Sequence, residues 1–200
     1  MISERIGTMV RHKLLGIGTA LAKLGMTPNM LTIIGVVLNL VVAIIIATGH
    51  ARLGGALLLV ASAFDMLDGA VARATGLTSK FGGFLDSTLD RYSESLVFGG
   101  VLIYMLGTDD WKMGAILTFV SACGALLISY ARARAEAADF KASVGLLARP
   151  ERVILLAACL ILGYPLVALW LLAIATHITA LTRIVHVWRT SEQAAAGEGA

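Results

Sequence analysis

Charge is scarce in this 200-residue sequence. Asp, Glu, Lys and Arg make up 14% of it, against about 25% in an average soluble domain. Cysteine is scarcer still: Cys123 and Cys159 each sit inside an apolar run with no CxxC pairing. They read as packed thiols, and no disulfide framework is implied. No internal repeat is visible. A secretory leader is not expected either, because the Leu14–Leu24 stretch is interrupted by Lys23 and no small-residue cleavage site stands out. What is abundant is hydrocarbon. Residues of the AVILMFWYC set reach 58%, and the mean hydropathy is +0.85. Disordered, collagenous and ordinary soluble classes are thereby excluded. The apolar stretches exceed the length of a barrel strand, so the expected fold is all-α, a polytopic membrane protein.

The charge-free runs place the spans. Leu24–Ala51 carries no charged residue, a second run leads from Leu53 into Asp65, a third follows Glu94 to about Thr108, and a fourth covers Met113–Ala131. The last, Val153–Thr182, is too long for one crossing, and Gly163-Tyr164-Pro165 near its middle is a natural turn. Six transmembrane helices result. With that count every Lys and Arg except Arg52 and Lys112 falls on one face, and the positive-inside rule makes that face cytoplasmic, together with both termini. A plasma-membrane, multi-pass location is expected. Ile6, Met9, Val10 and Leu14 recur at helical spacing beside Arg5, Arg11 and Lys13, which suits an amphipathic helix on the inner leaflet. The domain reading is a juxtamembrane segment over 1–24, a six-helix membrane domain over 25–190, and a flexible tail over 191–200.

Carboxylates inside membrane helices are costly and therefore point to function. Four cluster here. Asp65 and Asp68 are three apart at the end of the second span, and Asp86 and Asp90 are four apart at the start of the third. Each spacing puts its pair on one helix face, and the short connecting loop lets the faces converge. Unneutralised, the four would repel one another; a divalent cation resolves that conflict, and an all-oxygen set favours Mg²⁺, Mn²⁺ or Ca²⁺ over zinc. Four carboxylates from two helices could hold two ions, an arrangement suited to phosphoryl chemistry. Gly69 and Ala72 leave room beside the acids, Arg73 offers a fork for phosphate, and Gly82 opens the third helix on the same stripe. The plainer alternative is that the acids pair with Arg73, Lys80 and Arg91 at a wet helix end.

These residues, Asp65-x2-Asp68-Gly69-x2-Ala72-Arg73-x8-Gly82-x3-Asp86-x3-Asp90, resemble the full signature of the CDP-alcohol phosphotransferases. The likeness covers most of the chain, including the six-span layout. It implies an enzyme that moves a substituted phosphate from a CDP-alcohol to a second alcohol and releases CMP. On that likeness Asp65, Asp68 and Asp86 would ligate one Mg²⁺ (Mn²⁺ as substitute). Asp68, Asp86 and Asp90 would serve a second ion, with Asp90 also the general base. Gly69 and Arg73 would contact the CDP moiety, with Ser79 beside them. Thr27-Pro28-Asn29-Met30-Leu31-Thr32 reads as a helix start, with Thr27 as N-cap and Pro28 at N1; the family's similar motif implies that Asn29 and Thr32 touch the nucleotide.

Ser129-Tyr130-Ala131-Arg132-Ala133-Arg134-Ala135-Glu136 and Arg149-Pro150-Glu151-Arg152 flank one loop, with Arg183 at the last helix end. Positive-inside topology and lipid head groups explain some of these arginines; together they suggest an anion pocket for a phosphorylated acceptor. The same segments resemble the phosphatidylinositol-phosphate synthase branch and its archaeal counterpart on archaeol-based donors. That implies Arg132 and Arg152 as acceptor-phosphate ligands, supported by Arg149 and Arg183. Position 132 departs from the branch, where many bacterial members carry Lys. Expected partners are a CDP-lipid donor (CDP-diacylglycerol or CDP-archaeol), a phosphorylated polyol such as inositol phosphate, the bilayer and a second copy in a homodimer; no nucleic acid is expected. The alternatives are a phosphatidylglycerol-phosphate synthase using glycerol 3-phosphate, a divalent-cation transporter, and a noncatalytic lipid binder. Transporters place such acids near the bilayer midplane, whereas these lie at span ends.

Overall fold

The computed structural model describes residues 16–198, with side chains described through Gln193. The region of the expected amphipathic helix, 6–14, lies outside the described residues. Helices are the only regular secondary structure among those described, with no strand among them. A short helical stretch over 16–23 precedes six longer helices. These are α1 (Pro28–Ala47), α2 (Ala51–Thr75), α3 (Lys80–Leu106), α4 (Trp111–Glu136), α5 (Arg149–Leu162) and α6 (Pro165–Glu198).

Local chemistry sets the boundaries. Thr27 caps α1 by accepting from the Met30 amide at 3.3 Å, with Pro28 in the first turn, as the sequence predicts. Ser79 caps α3 through the Gly82 amide at 2.9 Å. Gly163 adopts φ +83 and ends α5, and Pro165 starts α6. The long apolar run of the C-terminal third is therefore two helices. α5 has 14 residues, about 21 Å at 1.5 Å per residue, shorter than a hydrocarbon core of about 30 Å. At the other end, α6 continues to Glu198, where the sequence predicts a flexible tail from 191; Glu, Gln and three alanines are good helix formers that extend it.

The main helix contacts close a ring: α1 packs on α2, α2 on α5, α5 on α6, α6 on α4, α4 on α3, and α3 back on α1. Inside it sit Ile46, Leu58, Val101, Met105, Leu160, Leu169 and Leu172. Close approach needs a missing side chain in places: a Cβ on Gly55 of α2 would stand 2.8 Å from the Ala157 carbonyl of α5. Two polar side chains of the interior are satisfied by backbone carbonyls. Asn39 donates to Gly35 O at 2.9 Å, and Ser121 Oγ to Leu169 O at 3.2 Å.

Large apolar side chains also cover much of the outside. Val60, Phe119 and Leu181 are each more than 60% exposed, a surface that suits lipid and not water. Among the described residues four helices are long and apolar enough to cross a membrane: α1, α2, α4 and α6. The protein is thus an all-helical membrane protein. α3 and α5 do not meet that measure by themselves, α3 because Asp86, Asp90, Arg91 and Glu94 fill its first half, α5 because it is short.

Candidate active site

The C-terminal half of α2 and the N-terminal half of α3 bring the four aspartates to one end of the ring. Arg149, the first residue of α5, reaches between them. Its Nη2 donates to Asp65 Oδ2 at 2.9 Å and its Nη1 lies 2.7 Å from Asp90 Oδ1. Asp65 and Asp90 are therefore close enough for one planar guanidinium to touch both. Arg91 approaches Asp90 Oδ2 at 3.5 Å. The α1 backbone closes one wall: a Cβ on Gly35 would lie 2.5 Å from Asp65 Oδ1.

Asp68 faces the other way. Its Oδ2 lies 3.0 Å from the Thr32 hydroxyl, which is also 3.1 Å from Pro28 O. Its Oδ1 takes the Gly69 amide. Asp86 stands next to both Asp68 and Asp90. Asp68 and Asp86 open onto a groove of about 250 Å³ lined by Asn29, Thr32, Gly69, Ala72, Arg73, Ser79 and Gly82. All five residues predicted for the CDP moiety, Asn29, Thr32, Gly69, Arg73 and Ser79, thus share one groove. Its glycines keep it open: a Cβ on Gly69 would come within 3.2 Å of Arg73 Nη1, and one on Gly82 within 3.1 Å of Ser79 Oγ.

Among the described residues no three His, Cys, Asp or Glu side chains are arranged to hold one metal ion. The donor set nonetheless fits a hard divalent cation by its chemistry. It is all oxygen, Asp65 and Asp90 are partly open at 15% and 21% side-chain exposure, and two arginines stand against four carboxylates. Arg149 fills the space between Asp65 and Asp90, and its buried Nε has no partner, so its seat is not fully satisfied.

The arginines predicted for the acceptor take four different positions. Arg132 is exposed and pairs with Glu136 at 2.8 Å one turn along α4. Arg149 stands in the acid cluster instead of a separate pocket. Arg152 is 3% exposed and grips Glu94 with Nε at 2.8 Å and Nη2 at 2.9 Å, while Nη1 reaches Leu147 O at 3.3 Å. Arg183 is buried and donates from Nε to Val144 O at 3.0 Å and from Nη1 to Ile128 O at 2.7 Å. Arg132, Arg152 and Glu136 are near enough to act on the charge of Arg183, while Arg149 meets the aspartates. Sequence reasoning missed Glu94. The signal was present, since positions 86, 90 and 94 continue one helical stripe.

A membrane-embedded helical ring with a carboxylate cluster beside an open polar groove is the frame of an enzyme handling a charged lipid precursor. The model of the CDP-alcohol phosphatidyltransferase family matches residues 25–184, and the chain belongs to that family. It is 38% identical over 182 residues to the archaetidylinositol phosphate synthase of Pyrococcus horikoshii, covering 90% of this chain and 94% of the relative. Two crystal structures of the phosphatidylinositol phosphate synthase of Mycobacterium tuberculosis superpose with TM-scores of 0.82 at 33% identity. One has CDP-DAG bound and covers 88% of this chain and 93% of that one. The other, in complex with manganese and citrate, covers 88% of each.

Proposed function

We propose that this chain transfers a phosphatidyl-type group from a CDP-lipid, CDP-diacylglycerol or CDP-archaeol, to a phosphorylated polyol, with inositol phosphate the preferred acceptor, and releases CMP. The observation that carries this reading is the junction of two regions at the aspartates. The Asn29–Thr32–Gly69–Arg73–Ser79 groove opens on Asp68 and Asp86, while Asp90 meets Arg149 of α5 and Arg132, Arg152 and Arg183 of α4, α5 and α6 lie near one another. The printed names of the relatives favour inositol phosphate over glycerol 3-phosphate.

In this scheme Asp65, Asp68, Asp86 and Asp90 hold two Mg²⁺ ions, or Mn²⁺ in their place. The ions, when bound, neutralise the donor's pyrophosphate and stabilise CMP as leaving group. Arg73 and the groove glycines seat the CDP moiety. Asp90 takes the proton of the acceptor hydroxyl, whose oxygen bonds to the lipid-bearing phosphorus as the bond from that phosphorus to the CMP oxygen breaks. Arg149 must release Asp90 for that carboxylate to act. Arg132, with Arg149, Arg152 and Arg183, supplies the positive field that holds the acceptor's own phosphate.

α3 and α5 complete six crossings, since both are members of the closed ring. The acid end, both termini and the basic loops face the cytoplasm, in keeping with the Lys and Arg bias, and the chain acts as a homodimer. The test is CMP release from CDP-diacylglycerol with Mg²⁺ across an acceptor panel. Inositol phosphate should be used best and EDTA should silence the reaction. Preference for glycerol 3-phosphate would move the protein to the sister branch, and absence of CMP release with every acceptor would remove the transferase reading.

A further inference from the structure

Glu94 lies one turn beyond Asp90 on α3, outside the aspartate signature, and its side chain is only 10% exposed. A carboxylate so placed in a membrane helix needs a reason. Its partner is Arg152 on α5, held through both Nε and Nη2. Of the five N–H donors of a guanidinium, Glu94 takes two and Leu147 O one. Two remain for a ligand. The fork is thus fixed in rotation by three hydrogen bonds.

The clasp also acts on the aspartates. Arg149 and Arg152 are three apart and share a face of α5. Ala148 supplies no side-chain cap to that helix, and the 137–148 link before it contains Gly145 in a positive-φ conformation. What pins the start of α5 to α3 is therefore a pair of arginine contacts: Arg152 with Glu94, and Arg149 with Asp90. Between them lies a small cavity bordered by Asn39, Glu94, Arg149 and Arg152.

We propose that Glu94 is a positioning residue for the transfer reaction: it orients the Arg152 guanidinium toward the acceptor's phosphate and sets where α5 delivers Arg149 to the aspartate cluster. The inference rests on the acceptor reading above. Glu94 touches neither substrate in this scheme and acts only through Arg152 and the start of α5.

The test is a steady-state comparison of Glu94→Gln, Glu94→Asp and wild type, with separate KM values for inositol phosphate and CDP-diacylglycerol. Glu94→Gln should raise the KM for inositol phosphate about tenfold or more, the scale of removing one charge-assisted hydrogen bond. The KM for the CDP-lipid should stay within about twofold. Glu94→Asp keeps the charge but is one methylene shorter than the bidentate clasp needs, so it should recover only part of the loss and leave the acceptor KM several-fold raised. If Glu94→Gln does not fold, Glu94→Asp carries the test alone: a several-fold rise in the acceptor KM with an unshifted donor KM supports the role, and an unshifted acceptor KM overturns it. A fall in kcat with both KM values unchanged, matching a fall in folded fraction, also overturns it. Wild-type protein that uses no phosphorylated polyol overturns the acceptor reading and the positioning role together. Normal wild-type turnover with an unaffected Glu94→Gln overturns the positioning role alone.

Discussion

The two sides of the aspartate cluster are built on opposite plans. On the groove side, Asn29, Thr32, Arg73 and Ser79 surround open space, and Asp68 and Asp86 look into it. Arg73 has no ion pair there among the described residues and is exposed. On the arginine side Arg149, Arg152 and Arg183 already have internal partners: two aspartates, a glutamate and three backbone carbonyls. Only Arg132 is turned outward. In the proposed scheme a donor enters a groove whose arginine has no ion pair to give up. In the same scheme an acceptor phosphate must compete with acceptors the protein supplies itself. Binding there depends on how those internal pairs are arranged as much as on the number of arginines.

The strongest way to break the contrast is at the shared carboxylate. Asp90→Asn should lower turnover by about 10²- to 10⁴-fold, the usual contribution of a general base. CDP-lipid binding should survive because the groove is intact, and folding should survive because Arg149 keeps Asp65. CMP release alongside equilibrium binding of CDP-diacylglycerol checks both halves.

Next is the buried pair. Arg152→Ala leaves the Glu94 carboxylate buried without its cation, at a cost of about 3–5 kcal/mol in stability. Neutralising both residues, Arg152→Gln with Glu94→Gln, should restore a large part of that. Thermal unfolding in detergent gives the ranking, and equal destabilisation of single and double variants would contradict the pairing.

Two smaller effects sharpen the division between the sides. Arg132→Ala removes an exposed guanidinium, so stability should change by no more than about 0.5 kcal/mol. The acceptor KM should rise by about 10- to 150-fold if the contact contributes about 1.5–3 kcal/mol. Arg73→Ala should show the mirror pattern, a raised donor KM with the acceptor KM unmoved. Smallest of all, Thr27→Ala removes the α1 cap and should cost about 1 kcal/mol, read as a modest fall in Tm with both KM values retained.

The same contrast explains what was legible in the sequence. Asp65, Asp68, Asp86 and Asp90 stood out because their spacings of three and four repeat the helical period, and the groove residues lie within a few turns of them. The Thr27 cap and the Gly163–Pro165 break follow from local backbone preferences, and both hold in the structure. Pairings across the ring carry no such period. Arg149 meets Asp65 from 84 residues away, and Arg152 meets Glu94 from 58 away. Which arginine meets which acid is decided by α5 sitting between α2 and α6. The same packing allows α5 to be only 14 residues long, since its ends are held by neighbours and not by the bilayer alone. The sequence thus marked the arginines as a group, and the fold divided them into one exposed residue and three internally paired ones.

In the proposed reaction the lipid-bearing phosphate moves to an acceptor that already carries a phosphate of its own. Phosphorus NMR of the lipid made from CDP-diacylglycerol and inositol phosphate with Mg²⁺ tests it directly. The lipid product should show equal phosphodiester and phosphomonoester signals, with CMP released in equal amount and neither formed in EDTA. A lipid product with a phosphodiester signal alone, or CMP released as phosphatidic acid accumulates, would contradict it.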